Sequence, residues 1–446
     1  MIQPRPFPLI PRCLLLSIAF SLSAAFARAE LKAGVGTGNV TPPIGTPSAG
    51  YGGRKGKPMT GIHDPLLATA LAIDNGEKFV IFCGVDHLGM TSDMIKEIKD
   101  GAHADPAIAR AELFVGSSHT HAGGGAFLNY PGFGAILAGP YDPAARQVYI
   151  DGSIKAIVAA GKNLQPAKIG IGYGHAPGLN GYRASWPRNI EPVDDVAVIK
   201  ATKSDGSPLA VLFNFAAHPT VLSDDNMSFS ADFVGYARDY AVKSIGAGVQ
   251  PIYFNGAQAD VSPHPPAAQG DRFAHADAMG KALAEIVKQI WDATTAADTI
   301  KIATLNESYM QEPLGNSSNM KISKDPHPTE LNGIVFNDKQ AFITIPGEIS
   351  CIYDRDLKRF AGWLGFEHLS FLGLTNDAQG YIIIPEAWRH KTYESTLSFG
   401  GQMYGELVKN KIEGILHLME PAGAPHEKDA HKPVGLSSDL QDGKHQ

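Results

Sequence analysis

The chain has 446 residues, 44% of them hydrophobic and 19% charged, with a formal net charge of -7. That is an ordinary soluble globular profile with ample material for a large core. The mild acidity and the lack of any basic run exclude nucleic acid as the main partner, and 48 glycines and 31 prolines imply many loops.

The first residues read as a secretory leader. Arg5 and Arg12 form a basic start, Cys13 to Phe26 is apolar, and Ala27-Arg28-Ala29 offers a small-x-small cleavage point before Glu30. The apolar stretch is too short to span a membrane comfortably. The expectation is a signal peptide over 1–29 and a secreted or periplasmic protein. One large domain follows over 30–419. The remainder, 420–446, is a polar tail without apolar periodicity, expected to be disordered. Of the three cysteines, Cys13 would leave with the leader. Cys83 and Cys351 read as small hydrophobes, with one disulfide between them as the alternative.

Strand-like runs recur along the domain: LLATALAID, FVIFCGV, ELFVGSS, KIGIGYG, VAVIKAT, AVLFNFAAH, PIYFNGA, IATLNESY, GIVFND, AFITIPGE and LSFLGLTN. Helical spacing of apolar residues appears over Asp93–Asp100, Arg146–Leu164, Asp277–Ile290, Ser350–Gly362 and Gly401–Leu418. The mixture predicts an α/β or α+β fold of layered mixed β-sheets covered by helices, in a single large catalytic domain. A dinucleotide fold is excluded, because no G-x-G-x-x-G follows the first strand.

Several apolar runs end in residues able to do chemistry, where open sheets usually carry their sites. Leu113-Phe114-Val115 leads to His119, His121 and three glycines. In an extended segment residues two apart point the same way, so both imidazoles are expected to face one pocket. Phe213-Asn214-Phe215 leads to His218, Tyr253-Phe254-Asn255 to Asp260 and Ser262, and Ala341 to Pro346 to Glu348. Leu372-Gly373-Leu374 leads through Asn376 to Tyr381 and on to Tyr393. Any one of these is as easily a capping residue. Together they favour a hydrolytic metal site with His, His and Glu as ligands.

The same clusters, in order, resemble the neutral/alkaline non-lysosomal ceramidase family. Gly34 to Pro42 looks like its G-x-G-x-x-D-I-T opening, with Asn39 in place of Asp. Gly61-Ile62-His63 is similar to its G-I-H-x-x-L, His119-Thr120-His121 to its H-T-H-S-G, and Ala217-His218-Pro219-Thr220 to its V-H-P-T. Asp260-Val261-Ser262-Pro263 resembles its D-V-S-P-N, and Gly347-Glu348 its G-E. Asn376 to Tyr381 resembles its N-x-x-x-x-Y, and Tyr393 to Leu397 a shortened Y-E-G-A-S-T-L.

The resemblance implies a zinc ion, Zn2+, held by His119, His218, Glu348 and Tyr381. It makes Ser262 essential, places His121 beside the metal, gives Arg183 (in Tyr182-Arg183-Ala184) as counterpart of an active-site arginine, and makes Tyr393 a second active-site tyrosine. A phenolate is a rare zinc ligand, so Tyr381 is also readable as a donor to a substrate oxygen. Asp260 reads equally as support for the site or as a turn residue. In the mechanism so implied, His121 shuttles a proton, Arg183 and Tyr393 stabilise the oxyanion, and Ser262 orients the substrate or attacks it. The expected partner is a lipid or small-molecule N-acyl amide, with peripheral membrane contact left open. The inserts that form a lipid groove in the family look shortened. A zinc amidase or esterase on another acyl substrate, and a non-catalytic binding protein on the same scaffold, are the alternatives.

Overall fold

The computed structural model describes residues 30–130, 133–312 and 325–422. The leader read over 1–29 and most of the tail read over 420–446 lie outside the described residues.

Eight strands form the larger sheet: β1 (Lys32–Asn39), β2 (Leu67–Asp74), β3 (Phe79–Val85), β4 (Glu112–Ser117), β5 (Gln165–His175), β6 (Asp195–Lys203), β7 (Pro208–Phe215) and β8 (Gln250–Asn255). Their order across the sheet is β8-β7-β6-β5-β1-β2-β3-β4. Neighbours are antiparallel except at the two edges, where β3 pairs with β4 and β7 with β8 in parallel. A second sheet holds β9 (Ile302–Gln311), β10 (His327–Phe336), β11 (Gln340–Thr344) and β12 (His368–Leu372), its last pair again parallel. The helices are α1 (Ser92–His103), α2 (Phe133–Ala138), α3 (Pro143–Lys162), α4 (Phe233–Ile245), α5 (Arg272–Ala293), α6 (Cys351–Trp363), α7 (Pro385–Arg389) and α8 (Tyr404–Leu418).

The period-two alternation of strands builds four layers. In β3, Val80 and Phe82 point into a core shared with Phe114, Phe254, Phe336 and Phe342, which packs one sheet on the other. Ile81, Cys83 and Val85 face the opposite way, onto Met94 and Ile98 of α1 and Tyr149 and Ile157 of α3. Further along the same face, Phe213 and Tyr253 meet α4 and α5. The outer face of the second sheet is covered by α6 and α8 through Ile343, Leu357 and Ile412. The expected layered mixed sheets covered by helices are present. Cys83 and Cys351 are buried and free, as small core residues.

Two of the elements hidden in the sequence have a clear physical reason. β1 reads KAGVGTGN, and its alternating glycines obscure a strand. Those glycines permit the packing: a Cβ on Gly34, Gly36 or Gly38 would lie 1.9–2.2 Å from the carbonyl oxygens of Ala160, Ala156 and Gly152 in α3. The helix therefore rests directly on strand backbone. The second is α4, whose buried stripe of Phe233, Val234, Ala237 and Ala241 is interrupted by Gly235. Asp232 caps it, accepting from the Phe233 N–H at 2.6 Å.

Candidate metal centre

Three buried asparagines bring the strand ends together. Asn255 Nδ2 donates to Ser118 O at 3.0 Å and to Ala217 O at 3.1 Å, joining the turns that lead into His119 and His218. Asn214 Nδ2 donates to Phe254 O, Asn255 O and Phe371 O, tying the larger sheet to β12. Asn376 accepts from Val115 N at 2.9 Å and donates to Leu113 O at 3.2 Å, so it completes the free edge of β4. Its place in the N-x-x-x-x-Y segment is thus occupied by a backbone clamp.

β4 ends at Ser117, so His119 and His121 do not lie on an extended segment, as their spacing had suggested. His119 has φ 71°, a left-handed turn held by its own N–H to His87 O and by Thr120 Oγ1 to Ser230 O at 2.7 Å. The turn still brings the rings together: His119 Nε2 and His121 Nε2 are 3.2 Å apart. His119 Nδ1 donates to Leu88 O at 2.5 Å and His218 Nδ1 to Val261 O at 3.0 Å. A carbonyl only accepts, so in both rings the proton is on Nδ1 and Nε2 presents a lone pair. Burial depresses all three histidines, His119 to about 4 with Glu348 opposing the shift, and His121 and His218 well below their ordinary value. They are neutral and ready to ligate at neutral pH.

Glu348 completes the group. Its two-residue strand Glu348–Ile349 pairs in parallel with Tyr381–Ile382, so Glu348 stands opposite Tyr381. Glu348 Oε2 lies 3.3 Å from His119 Nε2 and 3.1 Å from His218 Nε2. Both His218 Nε2 and Glu348 Oε2 are buried without a hydrogen-bond partner. Zinc bonds of about 2.0–2.1 Å in a tetrahedron separate neighbouring donors by about 3.3 Å. The donor set therefore fits a zinc-sized ion, and His121 Nε2 stands at the same spacing as a fellow ligand. His119, His121 and His218 form one of the two potential metal-holding groups among the described residues. The other, His175, Asp194 and Asp195, is exposed or half-exposed and its groups pair with one another.

Asp260 supports Glu348 from behind. Its carboxylate accepts from Ser350 Oγ at 2.5 Å and Cys351 N at 2.9 Å, fixing the start of α6 just past Glu348. Arg183 approaches from the ladder that pairs Asn180–Tyr182 with Val261–Pro263. Its Nη2 donates to Tyr381 Oη at 3.0 Å and to Ala259 O at 2.7 Å, and its Nε faces Glu394 at 3.3 Å. Burial holds the Tyr381 phenol well above its ordinary range, more than Arg183 lowers it, so it keeps its proton at neutral pH. Tyr393 stands 6.2 Å from the Tyr381 ring, under the Arg183 guanidinium, and is 62% exposed.

His119, His121, Glu348, Tyr381 and Tyr393 line one cavity of about 110 Å³, walled by Leu88, Phe127, Leu128, Leu374 and Phe399. Ser262 does not share it. Ser262 lines a separate depression with Thr220, Pro265, Arg272 and His275, and its hydroxyl makes no hydrogen bond among the described residues. Sequence reasoning missed the partner carbonyls of Leu88 and Val261, which no side-chain pattern can signal. It also missed His327 and Asp377 in the cavity wall, although Asp377 adjoins the noted Asn376.

The solved structure of neutral ceramidase from Pseudomonas aeruginosa superposes with a TM-score of 0.78 over 88% of this chain and 75% of that one, at 15% identity. A ceramidase complexed with C2 gives 0.74 at 14% identity, over 87% and 75%. Neutral ceramidase B of Dictyostelium discoideum is 24% identical over 192 residues, 40% of this chain and 27% of the relative. Neutral ceramidase of Mycobacterium tuberculosis is 21% identical over 218 residues, 44% and 33%. The matched stretches thus span a third or less of these relatives' length. The model of the N-terminal part of the neutral/alkaline non-lysosomal ceramidases matches residues 31–271, more than half of the chain. On that match, and on a fold shared with solved ceramidases, the chain belongs to the neutral/alkaline non-lysosomal ceramidase family.

Proposed function

We propose that the chain is a secreted, zinc-dependent hydrolase that cleaves the N-acyl amide bond of ceramide-like lipids, giving a fatty acid and a sphingoid amine. The observation that carries this is the unpartnered Nε2 and Oε2 atoms of His218 and Glu348, buried beside His119 at a cavity that His119 and Glu348 line. The solved ceramidase complexed with C2 shares the fold and supports a lipid substrate. His119, His218 and Glu348 would hold the zinc, with His121 or Tyr381 as the fourth group. Zinc bound there supplies Lewis acidity, polarising a carbonyl and acidifying water.

The chain's own residues do the rest. When it is not itself a ligand, the Tyr381 hydroxyl, oriented by Arg183, donates to oxygen as negative charge develops on it, with Tyr393 at the mouth as a second donor. His121 is within reach to carry a proton to the departing amine when it is not itself a ligand. The leucine and phenylalanine wall excludes water around the acyl group. Ser262, from its separate depression, would act on substrate parts outside the cavity.

The cavity of about 110 Å³ favours one second reading: a smaller acyl amide or ester, including a carbohydrate-linked acyl group. Metal content and cleavage of a fluorescent short-chain ceramide test both. One zinc per chain with chelator-sensitive cleavage, lost in His119→Ala, is the expected result. Zinc without ceramide cleavage turns the assignment to other acyl substrates, and a chain that binds no zinc overturns the hydrolase.

A further inference from the structure

The metal cavity contains a second polar pair, at His327 and Asp377. His327 opens β10, and its Nε2 lies 3.0 Å from Asp377 Oδ2 and 3.0 Å from Ser92 Oγ. The carboxylate is held from every other side. Oδ1 accepts from Ser92 N at 3.0 Å and Ala378 N at 2.8 Å, and Oδ2 from Gln379 Nε2 at 2.9 Å. The Asp377 side chain is 2% exposed and that of His327 16%. A carboxylate in this setting accepts, so the imidazole proton sits on Nε2. Nδ1 makes no hydrogen bond among the described residues, on a half-buried ring that also lines a second depression with Asp93, Tyr309 and Glu330.

Asp377 has a structural role without the histidine: it caps α1 through the Ser92 N–H and already accepts from three donors. His327 adds nothing that the cap requires. A polar ring fixed by a buried carboxylate at the edge of a largely apolar cavity, with its second nitrogen open to a partner, has the form of a recognition contact.

We propose that His327 is a specificity-determining residue that binds a hydroxyl group carried by the substrate away from the scissile bond. This deepens the hydrolase assignment above and rests on it. A hydroxyl fits because it donates to a neutral Nδ1 and accepts from a protonated one. A carboxylate would instead face the negative charges of Asp377 and Asp93. Burial works against a charged ring, but the bond to Asp377 and the charges of Asp377 and Asp93 together outweigh it and the net shift is upward, so an ammonium group is also a poor match.

The test uses the zinc-loaded protein and three N-acyl amides of one chain length: without a hydroxyl, with one on the amine half, and with one on the acyl half. The wild type is expected to prefer a hydroxylated substrate by roughly tenfold or more in kcat/KM. The preferred half identifies where the hydroxyl sits. His327→Phe is expected to collapse that ratio to about one, and His327→Gln, which keeps a hydrogen-bonding group, to restore part of it. No preference in the wild type, or a ratio that survives His327→Phe, overturns the proposal. If none of the three is cleaved, the assignment to N-acyl amides fails separately. Calorimetric binding of the same amides then decides the role of His327, and equal affinities with and without the hydroxyl count against it.

Discussion

His218 Nε2 and Glu348 Oε2 face each other across 3.1 Å as two acceptors, because the His218 proton is already committed to Val261 O. Such a pair is repulsive unless a proton or a metal ion lies between. Glu348→Gln replaces one acceptor with an amide donor aimed at the imidazole. The variant is expected to melt above wild type when metal-free, and to gain far less from zinc. At zinc concentrations near 100 Kd the wild type should gain about 2.7 kcal/mol. Thermal melts with and without chelator check both halves, and a metal-free variant less stable than wild type would contradict the geometry.

Arg183 donates to Tyr381 Oη at 3.0 Å, and on the proposed mechanism it acts through that phenol. Tyr381→Phe should lower kcat by about 100-fold, the scale of one lost donor to a developing oxyanion. Arg183→Leu should do the same, and the double variant should be little worse than Tyr381→Phe alone. A double-mutant cycle on kcat measures this, and additive losses would mean that Arg183 acts on the substrate directly.

Acid should unfold the protein early. Burial pushes His87 down to about 3, with His119 adding to the shift, and it pushes His119 down to about 4. The unfolded chain therefore takes up protons at these positions near pH 6.5, well before the folded one does. Stability is fully present above about 6.5 and falls as pH drops toward 4, by up to about 1.4 kcal/mol per pH unit for each group. His87→Gln, which keeps an acceptor for the Gly89 N–H, should reduce that slope by one group's share. Urea midpoints of the metal-free protein at pH 6 and pH 5 give the comparison; an unchanged slope would show that His87 is protonated in the fold.

Glycines with and without a close neighbour should respond in opposite directions. A Cβ at Gly36 would meet Ala156 O at 2.1 Å, whereas at Gly414, exposed in α8, it would meet nothing within 4 Å. Gly36→Ala should cost about 3 kcal/mol or more, and Gly414→Ala should stabilise by about 0.5–1 kcal/mol. Chemical denaturation reads both, and a tolerated Gly36→Ala would show that α3 can lift off β1.

Apolar periodicity was most legible where packing is two-sided. FVIFCGV matches β3 residue for residue, because every position of that strand is buried on one face or the other. It failed where the backbone itself does the packing, as at Gly34, Gly36 and Gly38, and where a glycine breaks a helical stripe, as at Gly235. The clustering of His119 with His121 was foreseen, but it comes from a left-handed turn at His119 and not from strand alternation. Glu348 and Tyr381 were legible as residues following apolar strand ends and as motif residues, but their pairing was not, since a two-residue ladder has no periodicity of its own. His327 carries no local signal. Its partner Asp377 is fifty residues away in sequence, and topology alone brings it to the cavity.

The asparagine clamps bridge 137, 157 and 261 residues of sequence. Contacts of that span close late in folding, after the chain has met the loop-closure cost of joining its two halves. Residues 31–271 carry the three histidines, but Glu348 and Tyr381 arrive with the second sheet. If the centre holds zinc as proposed, ion capture would report on the finished molecule: a nascent or truncated chain would offer only imidazoles, and full occupancy would certify that both sheets have docked.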